Sequence, residues 1–228
     1  MYEELNLLSI SHILTVITCF GFAILFPRLL KNSTEKKLDL FKYSIVSLII
    51  LNQIIDFFKE GTEDWRFGLP LHLCDFSSIS IAIYLITGRR MFFVFAFFYG
   101  IAGAGMSILT PDVIYGFPEL YYLHNQIGHM LIILGIFYGL IINQDRPYLN
   151  DIWKILLIGT VFLFFIYIVN DSFGTNYWFT SIKPIGDNVT TFMRPEPYHM
   201  IDLYILAVVI CYLMYIPYAL KDRKAKIV

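Results

Sequence analysis

Charge is what this sequence has least of. Asp, Glu, Lys and Arg make up 15% of the 228 residues, against about a quarter in an average soluble domain, while 57% are apolar and the mean hydropathy is +0.65. So little polar surface cannot clothe a water-soluble sphere of this size, and disorder is excluded because it requires low hydrophobicity and high net charge. With a net charge of -1 and nearly all of its basic residues outside the apolar runs, the chain also lacks a nucleic-acid-binding patch. Cysteine is scarce too. Cys19, Cys74 and Cys211 fall in three separate apolar runs without CxxC or HExxH spacing, so no disulfide scaffold is expected and the thiols should be free. Residues 1–6 are acidic and no A-x-A-like site follows the first apolar run, so that run is expected to stay in the mature protein.

What is present is length without charge. Apolar runs lie at about 7–26, 40–58, 70–88, 91–109, 120–142, 152–170 and 199–219, each near the ~20 residues a bilayer-crossing helix needs. They are continuously apolar rather than alternating, which excludes a β-barrel, the other structure that satisfies its backbone in lipid. The expected fold is all-α: one transmembrane domain over 1–228, a bundle of seven helices. Between the runs, 110–119 carries Pro111 and Pro118, and 171–198 carries Trp178, Pro184, Pro195 and Pro197 and reads as a structured cap over one mouth. Thirteen of the Lys and Arg residues fall on one side of the bilayer and four on the other. The positive-inside rule then puts the N-terminus outside and the C-terminus in the cytoplasm of a multi-pass cell-membrane protein.

Orientation gives each intramembrane polar residue a depth. His12, His72, His124, His129 and His199 all fall in the outer half, with Asn52, Gln53, Asp56, Cys74, Asp75, Ser78, Asn170 and Asp171. Residues three or four apart share a helix face, which pairs Asn52 with Asp56, His72 with Asp75, Cys74 with Ser78, Asn125 with His129, and His199 with Asp202. Ionisable side chains are costly in lipid, so these faces should turn inward and build a polar pocket from spans two, three, five and seven. For His12 and His199, near the boundary, contact with headgroups is the plain alternative. Cys19 and Cys211 read as core fillers, and Gly100, Gly103, Ala104, Gly105 and Ser107 as a close-packing surface.

Three chemistries fit such a pocket. Cys74 can act as a thiol nucleophile with His129, or second His124, as base. A zinc site can draw on His72, His124, His129 or His199 with Asp75 or Asp202, although residues 124 and 129 lie on different faces of a helix. The third is a solute-binding or transport cavity without chemistry. A retinal pigment is excluded, since 199–219 contains no lysine for a Schiff base.

The stretch Leu69-Pro70-Leu71-His72-Leu73-Cys74-Asp75, followed by Tyr122-Leu123-His124-Asn125 and His129, resembles the YwaF-like family of bacterial integral membrane proteins. That family is distantly similar to a eukaryotic membrane acyltransferase that places polyunsaturated chains on ether phospholipids through a cysteine. The cysteine precedes its neighbouring histidine there, whereas His72 precedes Cys74 here. The resemblance implies that Cys74 is the nucleophile and His129 its partner. The expected function is acyl transfer or ester hydrolysis on a membrane lipid, without a cofactor. His124, Asn125 and His72 would assist catalysis, and Asp75, Ser78, Asn52, Asp56, His199 and Asp202 would line the substrate pocket. Reporter fusions test the orientation: a cytoplasm-active reporter should work at the C-terminus and fail at the N-terminus, and the reverse result overturns the assignment.

Overall fold

A computed structural model describes residues 2–184 and 188–225. Seven helices occur among the described residues: α1 (Ile10–Leu30), α2 (Glu35–Glu60), α3 (Leu73–Thr87), α4 (Arg90–Leu109), α5 (Leu120–Ile141), α6 (Leu149–Phe173) and α7 (His199–Ala225), with no strand. Six of them are long and apolar enough to cross a membrane. The exception is α3, whose 15 residues extend about 22 Å, short of a ~30 Å hydrocarbon layer. It starts three residues later than Pro70 because the Asp75 carboxylate accepts the His72 backbone N–H at 2.8 Å, which fixes His72 as the N-cap. At the other end Gly88, at φ 67°, closes the helix in the left-handed conformation.

The chain divides into two compact units, Met1–Asp145 and Arg146–Val228. In the first, α5 packs against α1, α2, α3 and α4. Helix α4 is buried on every side from Phe93 to Gly100, where one π-helical turn, Ala96–Gly100, interrupts it; apolar residues all round are what an enclosed helix requires. The small residues act where helices touch. A Cβ on Gly100 would lie 2.9 Å from Ile132 Cγ2, and one on Gly135 would lie 2.6 Å from Ile81 Cγ1. Between α2 and α3 the chain folds back so tightly that a Cβ on Gly68 would sit 2.9 Å from Gly61 Cα. In that loop the Arg66 guanidinium, bonded to Asp64, holds the Asp64 carboxyl below the usual carboxylate range.

His12 does not reach for headgroups. It is buried, and its Nε2 donates to the Leu109 carbonyl at 3.0 Å, so its Nδ1 accepts from the Tyr122 hydroxyl at 2.8 Å. The ring ties α1 to the end of α4 and the start of α5.

In the second unit α6 packs against α7 and against the turn Tyr177–Phe179. Asn170 is spent on this turn: its amide donates to Tyr177 O and Thr180 Oγ1, and its carbonyl accepts from Thr175 Oγ1 and the Tyr177 N–H. His199 is buried with Nε2 donating to Phe179 O at 2.8 Å, which replaces headgroup contact. Asp202 accepts from Arg194 at 2.6 Å instead of meeting His199. Arg146 and Asp222 join at 2.6 Å near the other ends of α6 and α7. Of the stretch read as a cap, residues 185–187 lie outside the described residues, as does Lys226 of the basic C-terminus.

The packing makes a prediction. Gly135→Ala should destabilise the detergent-solubilised protein by about 1–3 kcal/mol through overpacking, and combined with Ile81→Ala it should cost less than the two single changes summed. Strict additivity in thermal unfolding would show that the two residues do not touch.

Candidate functional site

The polar residues of the first unit gather where the C-terminal end of α2, the start of α3 and the first half of α5 meet. Helix α2 contributes Asn52, Gln53 and Asp56; α3 contributes Cys74, Asp75 and Ser78; α5 contributes His124, Asn125 and His129. They enclose a cavity of about 60 Å³, room for about four or five waters or one small polar group. Each wall has a local cause. On α2 the i, i+4 spacing lets Asn52 Nδ2 donate to Asp56 Oδ2 at 2.7 Å. On α3 the capping role of Asp75 places Cys74 one residue before it in the first turn. On α5 Gly128 leaves space for the Asn52 amide, whose Nδ2 would stand 2.7 Å from a Cβ there. Helix α4 approaches as well, since a Cβ on Gly103 would be 3.4 Å from Cys74 Sγ.

Hydrogen bonding fixes the chemical state of the two histidines. His129 Nδ1 lies 2.7 Å from the Asn125 carbonyl. A carbonyl only accepts, so Nδ1 carries the proton, and Nε2 of the neutral ring is left as an acceptor. His124 Nε2 donates to Asp56 Oδ1 at 2.6 Å, so both oxygens of that carboxylate are engaged. Two groups remain unmatched: Asn125 Nδ2 and Gln53 Oε1 are buried without a partner among the described residues. An unmet buried polar atom costs about 1–3 kcal/mol. A donor and an acceptor left open beside a cavity holding a thiol and a basic imidazole suit a site that waits for a ligand.

A family model described as the TMEM164 family matches residues 7–215. The chain belongs to the TMEM164 family. It is also 29% identical over 127 residues to an uncharacterized protein of Treponema pallidum (strain Nichols), a match covering 54% of this chain and 51% of that one. The chain thus spans about half the length of the curated relative it matches. No solved structure matches.

In this TMEM164-family chain the cavity brings together eight of the eleven residues expected from sequence: Cys74, Asp75, Ser78, Asn52, Asp56, His124, Asn125 and His129. His72 does not line it; it pairs with Asp75 as expected, but as the reciprocal cap at the start of α3, in which the Asp75 carboxylate accepts the His72 backbone N–H. His199 and Asp202 belong to the second unit and are bonded within it, to Phe179 and Arg194. Asn125 and His129 do pair, through the Asn125 main-chain carbonyl rather than its amide. Among the described residues no three His, Cys, Asp or Glu side chains converge as a set of metal ligands, so the residues weighed for zinc do not assemble one.

Sequence reasoning missed Lys59, Tyr121, Gly128 and Ile132 in the lining and named Gln53 only by depth. Lys59 and Tyr121 are detectable afterwards from the same helical register, one turn beyond Asp56 and one turn before Asn125, where the Lys59 ammonium lies over the Tyr121 ring. The Asp56–His124 bond gives a direct check. A double-mutant cycle with Asp56→Ala and His124→Ala should return a coupling of about 1 kcal/mol in detergent unfolding, since both side chains are partly exposed. Zero coupling would show the contact to be absent.

Proposed function

We propose that this chain is a membrane acyltransferase or ester hydrolase acting on a lipid-like ester, with Cys74 as nucleophile and His129 as base, in keeping with the YwaF-like resemblance of its Pro70 to Asp75 motif. The observation that carries the reading is the His129 Nδ1 bond to Asn125 O, which leaves Nε2 basic in the cavity that Cys74 also lines.

The chemistry follows from these groups. His129 Nε2 takes the thiol proton as Cys74 Sγ attacks the ester carbonyl, and the carbonyl electrons move onto oxygen. The Asn125 Nδ2 donor, unmatched in the resting site, supplies a hydrogen bond to that oxyanion. When the tetrahedral species collapses, the C–O bond breaks and the leaving alkoxide takes the proton back from His129. The products are a thioester on Cys74 and a free alcohol. A second alcohol, or water, then gives its proton to His129 and attacks the thioester, regenerating the thiol. Asn52, Asp56 and His124 form a bonded string beside this pair and position the α2 wall. The sidedness expected from the basic residues would set the cavity at the depth of glycerol esters in the outer leaflet of the cell membrane.

An ester-mimicking acylating probe, applied to the purified chain, tests the reading. Labelling should vanish in Cys74→Ala, fall by about 100-fold or more in His129→Ala, and persist in His72→Ala, whose ring lies outside the cavity lining. Equal labelling of the native chain and Cys74→Ala would remove the thiol mechanism and leave a non-enzymatic binding or transport protein as the reading to pursue.

A further inference from the structure

The polar cavity is too small for its proposed substrate. About 60 Å³ accommodates an ester group but no acyl chain, so any chain must leave through a wall. Beside it a second, larger space of about 440 Å³ runs between α2 and α3. Ten of its eleven lining residues are apolar, and the eleventh is Gln53, which lines the polar cavity too.

The groove has a sequence origin. Ile49, Gln53 and Phe57 repeat every four residues on α2, and Ile79, Ala82 and Ile86 follow helical spacing on α3. Ile49 and Ala82 are buried, whereas Ile50, Ile54, Phe58, Ile79 and Ile86 are exposed. Among these isoleucines and phenylalanines the methyl of Ala82 leaves the hollow. The α2 stretch from Ile49 to Phe58 runs about 13 Å, close to the ~15 Å depth of one leaflet, half of a ~30 Å hydrocarbon core. One end, at Phe58 and Pro70, adjoins the level of Lys59 at the polar cavity. Gln53 stands at the junction with its Nε2 donating to Asp75 Oδ1 at 3.1 Å and its Oε1 buried without a partner among the described residues.

We infer that the α2–α3 groove is the acyl-chain slot of the site, holding an ester-linked chain of a membrane phospholipid while its carbonyl passes Gln53 into the polar cavity. This deepens the proposed function and rests on it. Gln53 is a positioning residue: rotation of one amide, released from Asp75, opens the partition between the apolar slot and the thiol. A chain enters sideways from the bilayer, so its methylenes stay in an apolar medium throughout.

The test separates the slot from the chemistry. Full-length Cys74→Ala, which cannot form a thioester, is placed in phosphatidylcholine vesicles doped with phosphatidylcholine bearing a photoactivatable diazirine on one acyl chain. Crosslinks should concentrate at least ~10-fold on the segments 49–58 and 79–86 over the exposed apolar face of α1, and Ala82→Phe should reduce them to the α1 level. Should Ala82→Phe fail to fold, Ile79→Trp fills the slot from its exposed rim and should do the same. Labelling spread evenly over the exposed helices, or unchanged by the filling variant, overturns the slot and leaves the thiol reaction to stand on the Cys74 probe. Equal labelling by a free diazirine fatty acid overturns the assignment to an ester-linked chain. Slot labelling in Cys74→Ala, combined with absence of probe reaction in the native chain, upholds chain binding and removes acyl transfer alone.

Discussion

A helix in lipid satisfies its own backbone, and its side chains must find partners among neighbouring helices because no water is there to supply them. That constraint organises the first unit. Helix α5 is the common neighbour of α1, α2, α3 and α4, and its first half carries Tyr122, His124, Asn125, Gln126 and His129 within eight residues. Each of these can be met only by a residue from a helix beside it or by a carbonyl one turn back. Below them α5 is apolar and buried from Leu131 to Ile136, so the polar contacts are confined to one end of the unit.

Most polar groups at these helix ends are fully used. His12 bonds through both nitrogens, Asp75 caps α3 and holds Gln53, and Asn170 shapes the turn after α6. Such groups fix helix starts and loop paths, because a buried amide or imidazole satisfied in one geometry penalises every other. Gln126 Oε1 and His199 Nδ1 are also buried without a partner among the described residues, each apart from the cavity; what distinguishes the α2–α3–α5 cavity is that two such atoms line it together. Asn125 Nδ2 and Gln53 Oε1 find no partner among the described residues, and the His129 ring is held by one nitrogen so that the other is left as an acceptor. Unmet hydrogen-bonding capacity beside a thiol is the physical content of the functional reading, and membership of the TMEM164 family covers the helices that build it.

On the proposed function, size divides the labour between two neighbouring spaces. The polar one suits a reacting group and the apolar one suits a hydrocarbon tail, and they meet at a single amide. The shortness of α3 contributes to this arrangement: with 15 residues and a tight glycine-lined loop before it, its first turn sits among the polar residues of α2 and α5. The Asp75 cap starts α3 at Leu73 and so keeps Cys74 in its first turn, at that level.

From the sequence alone, the apolar runs give the helix count and nearly their limits, since continuous hydrophobicity over about 20 residues has one structural solution in lipid. The i, i+4 bond of Asn52 with Asp56 and the gathering of Cys74, His124 and His129 were legible for the same reason: helical spacing and a common depth leave polar groups few places to go. Tertiary structure decided the rest. Whether His72 lined the cavity or only capped α3, whether His199 joined the cluster or the Phe179 turn, and whether His12 met headgroups or Tyr122 depended on which neighbour the packing holds within hydrogen-bonding distance. Periodicity assigns a residue to a face of its helix, but the rotation of one helix against another is set by side-chain packing far from that face, at contacts such as Gly100 on Ile132 and Gly135 on Ile81, and no single segment encodes it.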